Sequence, residues 1–231
     1  MSVRLLSGKL QQLSVKPDTT ILAIKVQLEK ELNPPEFHKV SLYVGETELS
    51  EGSISEVALS EDTEVQAVMR ACIEKPVKVI EELLEWLYND AEQCPIISPK
   101  IAKAASFLTG LQFEDGFQAH VCKAAFALIE LPRWFRHHPR WYLAKRRLTR
   151  DFMPTLIELA MWGCHLLGKY GNDSGEAFLG DFIEDIDLTV ADEAQLMWLI
   201  GKEPNTFNNL RVAAQNALDK IRARIGIQCN S

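Results

Sequence analysis

The sequence predicts an α+β protein of two domains, a small β-β-α-β-β-β domain over residues 1–70 followed by an all-α domain over 71–231. Three observations carry this. Apolar residues alternate at period two through most of the first 70 residues; one run at helical spacing interrupts them; from Glu74 onward the helical spacing takes over. Period two marks strands with one buried face, and steps of three and four mark a helix with one apolar stripe. With 47% hydrophobic and 25% charged residues over 231 positions, the composition is that of a folded chain long enough for two cores.

Val3 and Leu5 open the first strand, Ser7-Gly8-Lys9 supplies a turn, and Leu13 and Val15 resume the alternation, so a hairpin is expected. Pro17 to Thr20 ends it. Thr20 is placed to cap a helix whose Ile21, Ile24 and Leu28 share one face. Asn33-Pro34-Pro35-Glu36 stops that helix, because proline lacks the N–H and restricts the residue before it. Val40, Leu42, Tyr43, Gly45, Leu49 and Gly52 read as two short strands with tight turns, and Val65, Ala67 and Met69 as a closing strand.

In the double proline after the helix, the glycine ending the third strand, the short apolar closing strand and the loop lengths, residues 1–70 resemble the ubiquitin-like (β-grasp) superfamily. The resemblance implies a ubiquitin-like β-grasp fold and a docking role. Its recognition patch, carried over by position, falls on Ser7 or Leu6, on Ser41 or Leu42, and on Gln66 and Val68. One extra residue between Pro35 and Gly45 leaves the middle position open. Leu42, Gln66 and Val68 are the candidate partner-binding residues of this domain. With Ser41 outward instead, the patch is mostly polar and receptors that bury apolar area at ~25 cal/mol per Å² lose most of their grip. Conjugated members end in Arg-Gly-Gly, whereas Met69-Arg70-Ala71-Cys72 runs on into more protein, and the family's lysine after the glycine is Glu46. The implied role is a built-in docking module, with proteasome, chaperone or ubiquitin-ligase machinery as first candidate partners. The resemblance ends near Arg70.

The second region reads as seven or eight helices, a bundle or a short helical-repeat stack. Pro76 opens the first, with Ile80, Leu83, Leu84 and Leu87 on one face. Ser98-Pro99 starts a second, through Ile101, Ala105 and Leu108 to Gly110. Phe117, Val121, Ala124 and Leu128 mark a third that Pro132 ends. Ile157, Ala160, Met161, Cys164 and Leu167 form a fourth, closed by Gly168 and Gly171. Shorter helices are expected over 178–186 and 189–201, and a terminal one from Leu210 through Ile221 and Ile225 to Gly226.

Several classes of function lack support. The first strand begins by residue 2 or 3, leaving no room for a targeting peptide, so a cytoplasmic or nuclear home is expected. The longest apolar stretch, 154–171, is interrupted by Glu158 and His165 and is too short and polar to span a membrane. Five scattered cysteines without a CxxC pair suggest reduced thiols rather than disulfides or zinc. Neither a phosphate-binding glycine loop nor a calcium loop occurs, and no cofactor or metal is expected. His120 beside Cys122, and Cys164 beside His165, supply the ingredients of a thiol hydrolase acting on ubiquitin-like substrates. Neighbours at one or two positions on a helix point to different faces, so neither local pair forms a nucleophile and base.

The net charge of −7 hides an asymmetry. PRWFRHHPRWYLAKRRLTR holds Arg133, Arg136, Arg140, Lys145, Arg146, Arg147 and Arg150, with Trp134, Phe135, Trp141 and Tyr142 and no acid. Removing those seven positive charges from the total leaves −14 on the remainder, partly concentrated in Glu176, Asp181, Glu184, Asp185, Asp187, Asp192 and Glu193. Three readings follow. The segment binds RNA through phosphate contacts and base stacking; it docks on an acidic partner, with Arg133, Arg136, Arg140, Trp141, Arg146 and Arg147 as anchors; or its aromatics lie in a core while its arginines pair with the acidic run. The expected function is a non-catalytic adaptor that binds partner proteins through the head and the helical body. RNA association through 133–150 is the alternative.

Overall fold

The computed structural model describes residues 2–5, 10–12, 15–57, 63–89, 94–112, 117–137, 139–185 and 205–228, and of 2, 5, 10–12, 94–96, 133–137, 139–154, 205–207 and 227–228 the backbone alone. The chain divides into two compact units, Met1–Lys75 and Pro76–Ser231. In chain order the elements are β1 (Ser2–Leu5), β2 (Leu10–Gln12), α1 (Ile21–Leu32), β3 (His38–Val44), β4 (Thr47–Leu49), β5 (Glu64–Ala71), α2 (Glu74–Asn89), α3 (Cys94–Gly110), α4 (Gln118–His137), α5 (Pro139–Tyr170), α6 over 173–185 and α7 (Asn205–Gln228).

The first unit is a five-stranded mixed sheet in the order β2-β1-β5-β3-β4. β1 and β5 run parallel; the other neighbours are antiparallel. α1 covers one face, and its Ile21, Ile24 and Leu28 are wholly buried in one cluster with Val3, Leu42, Leu49 and Val65. The Thr20 hydroxyl accepts from the Ala23 N–H at 3.2 Å, satisfying one of the unpaired donors of the first turn. Asn33 closes the helix at φ 44°, its N–H donating to the Glu29 carbonyl. Asparagine tolerates this left-handed conformation better than most residues. Thr20→Ala is expected to cost the unit about 1 kcal/mol, read as a lowered urea midpoint at unchanged slope.

The Ser7-Gly8-Lys9 turn and Leu13 lie outside the described residues. β2 is formed by Leu10–Gln12, and Val15 packs half-buried against the core. Gly45 takes φ 59° in the turn between β3 and β4, a conformation glycine adopts without strain. Val65 and Ala67 of the closing strand are buried, but Met69 is 45% exposed, because the cluster stops short of it.

The described residues of the second unit are helical, without strands. α5 runs through its middle, with α3, α4 and α7 packed on it. Stripe residues Ile80, Leu84 and Leu87 of α2, Val121, Ala124 and Leu128 of α4, Ile157, Ala160, Cys164 and Leu167 of α5, and Leu210, Ala214, Leu218 and Ile221 of α7 are buried.

Four expected boundaries are corrected. α3 begins at Cys94, not at Ser98, and carries Pro99 inside it. Ile97 and Ile101 are both buried, so packing holds the helix across the bond that proline cannot make. α4 likewise passes through Pro132 to His137. Gly168 and Gly226 lie within α5 and α7 rather than ending them. At Gly168 a Cβ would come within 3.2 Å of the Ala217 Cβ, so the glycine serves close helix approach. Phe117, expected in the apolar stripe of α4, is 38% exposed just before it. The helix expected over 189–201 lies outside the described residues. Among the described residues no helix is long and apolar enough to cross a membrane.

Candidate functional site

The face of the sheet opposite α1 is built by strand alternation. Its ladder pairs set Lys39 opposite Arg70, Ser41 opposite Val68, and Tyr43 opposite both Gln66 and Glu48. The intervening residues Val40, Leu42, Val65 and Ala67 point the other way, into the core. This register answers the question the sequence left open. Leu42, a candidate for partner contact, has no exposed surface, and its place in the core is fixed by pairing with Leu49 and Ala67. Ser41 lies on the opposite face but is 1% exposed. The outward residue at the middle of the patch is Tyr43, which the sequence comparison passed over. Gln66 is exposed and Val68 half-buried beside it; Leu6 and Ser7 lie outside the described residues.

Tyr43 anchors a polar cluster. Its hydroxyl donates to Glu48 Oε2 at 3.1 Å and accepts from the Arg70 guanidinium, which also pairs with Glu48 at 3.4 Å. The Arg70 guanidinium carbon stands 5.7 Å from the Tyr43 ring centroid, a cation–π distance. Burial, then hydrogen bonding to Glu48 and its charge, raises the Tyr43 phenol above its ordinary value against the pull of Arg70. Burial alone would raise the Glu48 carboxyl too. Hydrogen bonds from Ser41 and Tyr43 and the charges of Lys25 and Arg70 outweigh it and hold the carboxyl below its usual range. Arg4 and Glu64 extend the face with an ion pair at 2.7 Å. The result is a mixed-charge surface with one aromatic anchor rather than an apolar triad.

The thiols have a different environment. Cys72, Cys122 and Cys164 are free and buried. Burial pushes the Cys164 thiol up to about 12 and raises that of Cys122, whose Sγ donates to the Tyr170 carbonyl at 3.4 Å. A nucleophilic cysteine needs the opposite shift. His165 is on the exposed side of α5, its ring edge-on to Trp162 at 5.6 Å between centroids. No group of histidine, cysteine and carboxylate suited to a metal occurs among the described residues.

The basic segment falls on the end of α4 and the first half of α5. The side chains of Arg133, Arg136, Arg140, Trp141, Arg146 and Arg147 lie outside the described set. Of the acidic run, Glu176 pairs with Arg222 of α7 at 2.8 Å. That bond is more than half exposed on the arginine side and contributes about 0–1 kcal/mol.

Comparison with protein-family models, curated proteins and solved structures finds no match.

Proposed function

We propose that the chain is a non-catalytic adaptor whose first unit is a ubiquitin-like β-grasp module that docks a partner protein on the sheet face opposite α1. The observation that carries this reading is the Tyr43–Glu48–Arg70 cluster beside Gln66 and Val68. Tyrosine and arginine are the residue types enriched at the centres of interfaces, where a preordered aromatic and a fixed guanidinium lose little entropy on docking. The strand order β2-β1-β5-β3-β4, with parallel central strands and a helix across one face, supports the β-grasp assignment. Proteasome, chaperone or ubiquitin-ligase components are the first candidate partners. The polar character of the face selects a receptor offering hydrogen-bond and charge partners to Arg70 and Glu48 rather than an apolar pocket. The helical unit supplies the second binding surface.

A photo-crosslinking residue at Gln66 of the intact chain tests the reading. Position 66 should capture a discrete partner from native extract, the Tyr43→Ala/Arg70→Glu variant should reduce that capture at least tenfold, and a probe at Leu22, 67% exposed on α1, should not capture it. Equal capture from positions 66 and 22, or capture indifferent to the double substitution, refutes the assigned face.

A further inference from the structure

Where the end of α3, the second half of α5 and α7 meet, Thr109, His165, Gly168, Lys169, Lys220 and Arg224 line an open cleft of about 530 Å³. Two lysines, an arginine and an imidazole surround it, and among the described residues no carboxylate lines it. Two of the cations have structural duties. The Lys169 ammonium donates to the carbonyls of Thr109, at 2.6 Å, and Leu111, which the end of α3 leaves without helical partners. The Arg224 guanidinium donates through one nitrogen to the Lys169 carbonyl and through the other to that of Gly171 at 2.8 Å, closing the end of α5 in the same way. Cations at helix C-termini are favoured by the helix dipole as well.

These duties do not exhaust the donors. A lysine carries three N–H bonds and an arginine five. Counting bonds to described residues, one on Lys169 and three on Arg224 are left over. Lys220 forms no hydrogen bond or ion pair with a described residue, so its donors add to the surplus. Burial, and then the charge of Lys220, lowers the basicity of His165. Both groups line the cleft, and no described carboxylate stands among its lining residues. Gly168 keeps the wall low there, since the Lys220 side chain lies 3.5 Å from where a Cβ would stand.

A surplus of fixed donors and positive charge, with the backbone carbonyls already satisfied, is the complement of a compact ion with several acceptor oxygens. We propose that this cleft binds a phosphate-type oxyanion, held by Lys220, His165 and the spare donors of Lys169 and Arg224. A bare ion does not fill a cleft of about 530 Å³, within the range of small-molecule sites, so there is room for the organic part of a phosphomonoester. The shared chemistry is the phosphate group, free or esterified.

Calorimetric titration of the intact chain with inorganic phosphate and with glycerol 3-phosphate, at ionic strength fixed with sodium chloride, tests this. Saturable one-site binding is expected, together with a phosphate-dependent shift of the His165 ring signals by NMR. Lys220→Gln removes the uncommitted ammonium while leaving both carbonyl caps in place, and should weaken binding about tenfold without moving the melting temperature. Tighter binding of the ester identifies an esterified ligand; equal or tighter binding of inorganic phosphate identifies the free ion. No saturable heat with either, or the same affinity in Lys220→Gln, overturns the proposal. The outcome is independent of the partner face on the first unit, because every cleft residue belongs to the second.

Discussion

Leu42→Ala is expected to destabilise the first unit by about 3–4 kcal/mol, whereas Tyr43→Ala, one residue along the same strand, changes stability by less than about 1 kcal/mol. Leu42 has no exposed surface and packs with Ile24, Leu28 and Leu49, so truncation both forfeits apolar burial and leaves a cavity the β3 ladder cannot close. In a domain of this size total stability is about 5–15 kcal/mol, and the loss is a large share of it. Tyr43 sits on the other face, and its removal breaks surface hydrogen bonds to Glu48 and Arg70 that water replaces. The functional ranking is the reverse: Tyr43→Ala should remove partner capture in a folded protein. Hydrogen exchange of the β3 and β5 amides reads the stability of this unit within the intact chain. Equal protection in both variants, or a larger loss in Tyr43→Ala, contradicts the register that places Leu42 inward.

That register marks the boundary of what the sequence made legible. Local features came through. The Thr20 cap, the Ile21–Ile24–Leu28 stripe and the stop at Asn33 involve residues within a few positions of each other, and spacing alone encodes them. The side on which Ser41, Leu42 and Tyr43 fall depends on how β3 pairs with β5, more than 20 residues away, and an extra residue near the start of β3 makes two registers equally compatible with the pattern. Tyr43, Glu48 and Arg70 are unremarkable as letters and form a cluster only through that pairing. The cleft in the helical unit is further from view, since His165 and Lys169 share one helix turn while Lys220 and Arg224 arrive from a helix about fifty residues on. Local rules also failed where packing outweighed them. Pro99 and Pro132 read as boundaries, yet both lie inside helices whose flanking residues Ile97, Ile101, Leu128 and Leu131 are buried.

Glycine carries the same lesson, with an expected reversal of sign. Gly163, Gly168 and Gly180 all lie inside helices, where replacing glycine by alanine gains roughly 0.5–1 kcal/mol if nothing is in the way. At Gly180 a Cβ meets no atom of the described residues within 4 Å, so Gly180→Ala should stabilise the second unit by that amount. At Gly168 the Cβ would lie 3.1 Å from the Ala217 Cα and 3.2 Å from its Cβ; the crowding offsets the propensity gain, and Gly168→Ala should be close to neutral. At Gly163 the Cβ would fall 2.7 Å from the Ala125 carbonyl oxygen and 2.7 Å from Ile129 Cγ1, a contact with backbone that no rotamer change relieves. α4 and α5 must separate to admit it, and both carry fully buried leucines and isoleucines at the seam. Gly163→Ala should therefore cost about 2–3 kcal/mol, the range for overpacking a well-filled core. Urea midpoints of the three variants at unchanged slope measure the series. The order Gly180, Gly168, Gly163 from stabilising to destabilising follows from helix approach alone. A Gly163→Ala midpoint at or above that of Gly180→Ala would mean that α4 and α5 do not cross in contact at Gly163.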